Sequence, residues 1–193
     1  LEAPTGIYAG FDEVEISDKS KVTSIGSVGM MFVGGQSGAT KLHVTGESEY
    51  NLQMKGYAHA LRLNALPGAH SILVDDNSTL HLSQETKGAS AICMGNYTTL
   101  TVDNGTLITE GNFLKGIYSL GTNSTTTIRN GSHVDVNSIV GTKSDKGQKL
   151  IVTGGTLTYD YSADNTLWPV NEQGDKLTNF LLKYSSVWFL LGS

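Results

Sequence analysis

The chain is poor in several residue types, and each shortage excludes something. A single cysteine, Cys93, rules out an internal disulfide and any cysteine-rich zinc site, while leaving secretion open to a fold that needs no disulfide. Arginine occurs only at Arg62 and Arg129, no basic run exists, and 13 basic residues face 18 acidic ones for a net charge of −5. A nucleic-acid partner needs a clustered positive surface, so none is expected. The longest apolar run, Val187–Leu191, falls far short of the roughly 20 residues that span a bilayer, so no membrane insertion by this segment is expected. No signal peptide is visible, and the chain opens on Leu1 rather than methionine; the expectation is a piece of a longer protein, with any targeting segment elsewhere. Apolar residues make up 38%, below the globular norm of about 45–50%. With 23 glycines and 3 prolines, that composition suits a narrow core with many turns. The rival reading is disorder, and regularly spaced Val, Ile and Leu argue against it.

What is present is a repeat. An aliphatic residue, a turn rich in Asp, Asn, Gly or Ser, and a second apolar residue recur six times: Ile16 to Val22, Val44 to Tyr50, Val74 to Leu80, Val102 to Leu107, Ile128 to Val134 and Val152 to Leu157. The leading residues lie 28, 30, 28, 26 and 24 positions apart, a period that signals stacked units. A further apolar segment precedes each turn: Gly6–Gly10, Gly29–Val33, Ala60–Asn64, Ala91–Gly95, Gly116–Gly121 and the shorter Ser138–Gly141. Leu80-His81-Leu82, Val134-Asp135-Val136 and Leu157-Thr158-Tyr159 alternate apolar and polar as half-buried strands do.

Short strands in units of this length predict an all-β fold, a right-handed parallel β-helix of about six coils over residues 1–160. Each strand pairs with its counterpart in the next coil, so backbone groups are satisfied between coils. Six coils at about 4.8 Å make a rod roughly 25–30 Å long. No amphipathic helix is evident in residues 1–160, and neither the leucine-rich repeat signature nor the calcium-roll nonapeptide occurs. Asn104-Gly105, Asn130-Gly131 and Gly154-Gly155 fall at one place in successive coils, where positive φ is expected and stacked Asn side chains could bond along the column. Residues 161–193 break the pattern. Their apolar stretch, with Phe180, Leu181, Leu182, Trp188 and Phe189, is expected to be a cap or the start of a following segment. A membrane-associating tail is the alternative, disfavoured by scarce Lys and Arg.

The register predicts columns. If Ile7, Leu61, Ile92 and Ile117 point inward, then Tyr8, Met31, Arg62, Cys93 and Tyr118 form one outward column. Tyr8, Arg62 and Tyr118 are the candidate ligand-binding residues, because aromatic faces stack on pyranose rings and arginine pairs with uronate carboxylates. The competing reading is ordinary packing under a long loop. Asp12, Glu13, Glu15, Asp18, Asp75, Asp76 and Asp103 offer oxygen ligands of the kind calcium takes, but in no ordered spacing, so solvated turn carboxylates are the default. His43, His59, His70, His81 and His133 are dispersed without zinc-site spacing, and His43, His81 and His133 are expected to face solvent. Nothing places a base near Cys93, which reads as a small packed residue. The Asn-x-Ser/Thr sequons at Asn77, Asn96, Asn104, Asn123 and Asn130 are explained by turn chemistry before glycosylation. No metal site and no catalytic constellation is expected.

Gly6-Ile7-Tyr8-Ala9-Gly10, Leu100–Leu107 and Lys149–Leu157 resemble the repeats of bacterial cell-surface β-helix proteins, and Pro169–Leu177 resembles the segment that follows them. Over residues 6–160 the chain is similar to pectate-lyase-like adhesive domains and to carbohydrate-binding β-helices of gut bacteria. That resemblance implies a secreted or cell-surface module that adheres to polysaccharide or host-surface glycans and displays other domains. Some relatives of this kind are polysaccharide lyases or glycoside hydrolases, the alternative function. No lyase motif matches, so no catalytic residue is carried across.

Overall fold

Turn chemistry and period-2 strands build a three-sided parallel β-solenoid of about six coils. The computed structural model describes residues 2–3, 7–64, 66–161, 164–178, 181–184 and 187–190, with the strands at 2–3, 181–184 and 187–190 described by backbone alone. There is no helix among the described residues, and hence none long and apolar enough to cross a membrane.

Face A is a seven-stranded sheet: Glu13–Ile16, Lys41–Val44, Ser71–Asp75, Thr99–Asp103, Thr125–Arg129, Lys149–Val152 and Pro169–Val170. Face B runs through Glu2–Ala3, Lys21–Gly26, Glu49–Met54, His133–Asp135 and Thr156–Thr158. Face C holds Ile7–Ala9, Met30–Phe32, Leu61–Arg62 and Ile139–Val140. The long strands Thr79–Met94 and Thr106–Ser119 bend around the B–C corner and contribute to both faces, with a register shift between Gln84 and Gly88 at the bend. Every pairing within these three faces is parallel.

The alternation fills a narrow core. On face A, Leu42, Ile72, Leu100 and Leu150 stack in one inward column and Val44, Val74, Val102 and Ile128 in the next, all essentially buried. Each such side chain stabilises the fold by about 1.5–3 kcal/mol. Leu61, Ile92 and Ile117 are buried, and Ile7 packs against the core from its edge, as the sequence predicts.

The turns from face A to face B carry the positive φ. Asp18, Lys19, Glu47, Asp76, Asn77, Asn104 and Asn130 take φ between 50° and 59°. Lys19 and Glu47 adopt this conformation without being Gly or Asn because the neighbouring turn fixes them: their amides donate to the Gly46 and Asp76 carbonyls at 2.9 Å each. In the expected Gly pairs, Gly131 and Gly155 have positive φ, whereas Gly105 is needed because a Cβ there would meet Val74 backbone. The expected Asn ladder is replaced by a mixed one, in which Asn130 Nδ2 donates to Asp103 Oδ1 at 2.6 Å and Arg129 Nε to Asp103 Oδ2 at 2.9 Å. Inside the turns, serine hydroxyls tie coils together: Ser48 Oγ accepts from the Ser20 amide and Ser78 Oγ from the Ser48 amide, at 3.1 and 3.0 Å.

Residues 159–161 and 167–170 lie against the last coil. Tyr159 is fully buried and donates to the Leu167 carbonyl at 3.2 Å, and Tyr161 meets Trp168 edge to face at 5.1 Å. The backbones of Leu181–Tyr184 and Val187–Leu190 form an antiparallel pair. The expected cap side chains Phe180, Leu181, Leu182, Trp188 and Phe189 lie outside the described residues.

Candidate functional site

Face C realises the column read from the sequence. Tyr8 stands beside Met31, Met31 beside Arg62, Arg62 beside Cys93 and Cys93 beside Tyr118, each one coil from the next. Tyr8 is 65% exposed and Arg62 is exposed. Tyr118 is half-buried, and Lys115 Nζ lies 3.4 Å from its ring centroid, so the ammonium occupies one ring face.

Cys93 is packed, in line with its reading as a small packed residue. It stands in the outward column yet is only 1% exposed. Burial pushes its thiol up to about 11, against smaller opposing effects of Arg62, Lys115 and Ser90. A buried thiol held protonated at neutral pH is a poor nucleophile.

Beside the column lies a cleft of about 240 Å³ whose lining includes Val28, Met31, Tyr57, His59 and Arg62. Tyr57 is 68% exposed at its rim. His59 Nδ1 and Ser90 Oγ are 2.6 Å apart. Burial first, then the charges of Arg62 and Lys115, hold His59 below the usual imidazole range, so the ring is neutral at neutral pH. Tyr57 carries no mark in the sequence and His59 reads there only as one of the dispersed histidines, because both sit in the B–C corner where no repeat marks them.

A second cleft, of about 320 Å³, includes Asn64, Leu66, Gly95, Asn96 and Gly121 in its lining. Its glycines serve coil stacking: a Cβ at Gly95 would crowd the Leu63 carbonyl.

The acidic residues weighed for calcium are distributed among protein partners. Asp12 accepts from the Ser37 amide and hydroxyl at 2.9 and 2.7 Å, and those bonds hold its carboxyl low. Glu13, Glu15 and His43 converge on face A. Lys41 Nζ lies 2.8 Å from Glu13 and 3.3 Å from His43 Nδ1, while His43 Nε2 meets Asp75 at 3.0 Å. The hydrogen bond and charge of Lys41 keep the Glu13 carboxyl below its ordinary range. Asp103 pairs with Arg129, and Asp18 and Asp76 are exposed turn residues. Of the outward histidines, His133 is exposed, whereas His43 and His81 sit half-buried in polar ladders, His81 between Asn51 and Glu110.

His70 is completely buried, with Nδ1 accepting from the Thr40 amide at 3.0 Å and its ring edge-on to Phe32. Burial lowers its pKa, with the Leu66 backbone opposing. A histidine depressed in the folded state stabilises the fold fully above its unfolded value of 6.5. That contribution is lost as pH falls below this value, because the unfolded chain takes up the proton first. Denaturant titrations are therefore expected to show falling stability just below pH 6.5, with His59 acting in the same direction. His70→Gln should flatten that slope; an unchanged slope would remove His70 from the account.

The class that fold and surface define is a parallel β-solenoid with an aromatic and cationic strip on one face. No protein-family model matches the chain, and no curated protein or solved structure does.

Proposed function

We propose that the chain is a noncatalytic module of a secreted or surface-attached bacterial protein, a right-handed solenoid that binds carbohydrate along face C and displays other domains. One observation carries the reading: Tyr57, largely exposed, stands at the rim of a ready-made cleft lined by Met31 and Arg62, and Tyr8, also largely exposed, stands beside Met31 in the same column of a rigid sheet. Exposed tyrosines supply apolar faces for sugar rings at small entropic cost, and a strand-borne arginine supplies direction. The resemblance of the repeats to adhesive β-helices points the same way.

A glycan array is expected to show selective retention of one polysaccharide class. Tyr8→Ala and Tyr57→Ala should each weaken that binding about three- to tenfold with unchanged circular dichroism. Retention of no glycan by the wild-type chain would favour a pure spacer and sink the reading.

The alternative is a polysaccharide lyase or hydrolase. Neutral His59 beside Arg62 favours elimination over hydrolysis, since among the described residues no carboxylate stands on the face C segments 7–9, 30–32, 61–62, 88–94, 113–119 and 139–140, and glycoside hydrolysis ordinarily needs two. Unsaturated ends released from any uronan would establish the alternative.

A further inference from the structure

Charge is segregated along this acidic chain. No Asp or Glu occurs in residues 50–74, 86–102 or 111–134, the stretches that supply the central strands of face C. Elsewhere four cations are neutralised between coils: Lys19 by Glu47, Lys21 by Glu49, Lys41 by Glu13 and Arg129 by Asp103. Arg62 and Lys115 have no ion pair among the described residues. The Arg62 side chain makes one hydrogen bond, a long one from Nε to Asn64 Oδ1 at 3.4 Å, and Lys115 has the Tyr118 ring.

These two cations converge. Cys93 pairs with Arg62 of the coil before and Tyr118 of the coil after, and Ser90 pairs with Lys115. The coil between them therefore contributes the small residues Ser90 and Cys93, each 1% exposed, as a floor. Arg62 and His59 form the wall on one side, Lys115 and Tyr118 the wall on the other. Both cations lie near enough to act on the Cys93 thiol and on the His59 ring. Two like charges thus stand over a neutral floor without a counter-charge, an arrangement that an anion relieves.

We propose that this trough between Arg62 and Lys115 binds a sulfate or phosphate ester of an acidic glycan. Arginine offers a fork of parallel N–H donors and lysine a rotatable ammonium. Donors on opposite walls suit a tetrahedral oxyanion, whose oxygens point in several directions, better than a carboxylate, whose two oxygens point one way. The inference rests on the glycan-binding reading of face C and adds the chemical group recognised there.

The test is calorimetric titration of the whole chain with a heparin-derived hexasaccharide, its fully desulfated form (which keeps the carboxylates), a neutral maltohexaose, inorganic sulfate and inorganic phosphate. The sulfated sugar is expected to bind at least about tenfold more tightly than the desulfated one, and Arg62→Gln and Lys115→Gln should each cost about tenfold, the loss of one charge-assisted hydrogen bond. Lys143→Gln and Lys146→Gln, away from the trough, should leave binding unchanged; an equal loss there would show non-specific attraction and overturn the proposal. The two inorganic ions separate a sulfate from a phosphate preference.

Equal binding of the sulfated, desulfated and neutral sugars would overturn the anion site and leave glycan binding standing. Inorganic anion binding lost in Arg62→Gln, without any sugar binding, would uphold the site and sink the glycan reading. Wild-type affinity for the sulfated sugar in both trough variants would overturn the proposal outright. Thermal melts confirm that each variant is folded.

Discussion

Gly121→Ala is expected to cost at least about 3 kcal/mol, beyond ordinary overpacking. Gly121 is buried where its coil rests on the coil of Gly95 and Asn96, and a Cβ there would press into the Gly95 carbonyl carbon and the Asn96 nitrogen. Both obstacles are backbone, and neither coil can withdraw. The Leu120 and Gly121 amides donate to the Met94 carbonyl at 3.1 Å, and the Tyr97 amide to the Thr122 carbonyl at 2.8 Å. Gly131→Ala isolates the conformational term. Gly131 has φ 79° and open space around its Cβ position, so its loss should be limited to about 1–2 kcal/mol. Urea denaturation of the two variants checks this through their midpoints at constant slope. Equal losses would mean that the coils are not in the tight register described.

Leu82→Ala should cost about 2–5 kcal/mol, the range for emptying a buried leucine site. Leu82 is fully buried in the third coil, between Leu52 below and Thr109 above. Its neighbour His81 points outward to Asn51 and Glu110, so His81→Ala should change stability by less than about 1 kcal/mol. Because each coil contacts mainly its neighbours, the defect should also be local in space. Amide exchange in Leu82→Ala is expected to quicken first in strands Glu49–Met54 and Thr106–Ser119, which flank the site. Uniform acceleration along the chain would contradict a coil-by-coil solenoid.

Much of this fold was legible in the sequence because a solenoid writes its geometry in one dimension. The spacing of Ile16, Val44, Val74, Val102, Ile128 and Val152 fixes the coils, and the outward column from Tyr8 to Tyr118 follows by aligning them. Depth was not legible. Register says which way a side chain leaves the strand and not how deeply it sits: Cys93 and Tyr118 share one column, yet Cys93 is buried and Tyr118 only half-buried. Tyr57, and the place of the dispersed His59 beside the cleft, were not legible because the B–C corner varies between coils and the His59 partner Ser90 is 31 residues away. The long gaps without carboxylates were the available signal for the site. The left-handed turn residues Lys19 and Glu47 carry no signal of their own, because the stacked neighbouring turn imposes their conformation.

The central claim is that face C is the working surface. Chemical-shift mapping of the labelled chain, titrated with the glycan class retained on an array, tests it most directly. The account predicts perturbations confined to the strands Ile7–Ala9, Met30–Phe32 and Leu61–Arg62, the Tyr57–His59 corner and the segments around Cys93 and Tyr118. Perturbations centred on the face A residues Thr99, Thr101, Thr125 and Thr127, with face C silent, would contradict it.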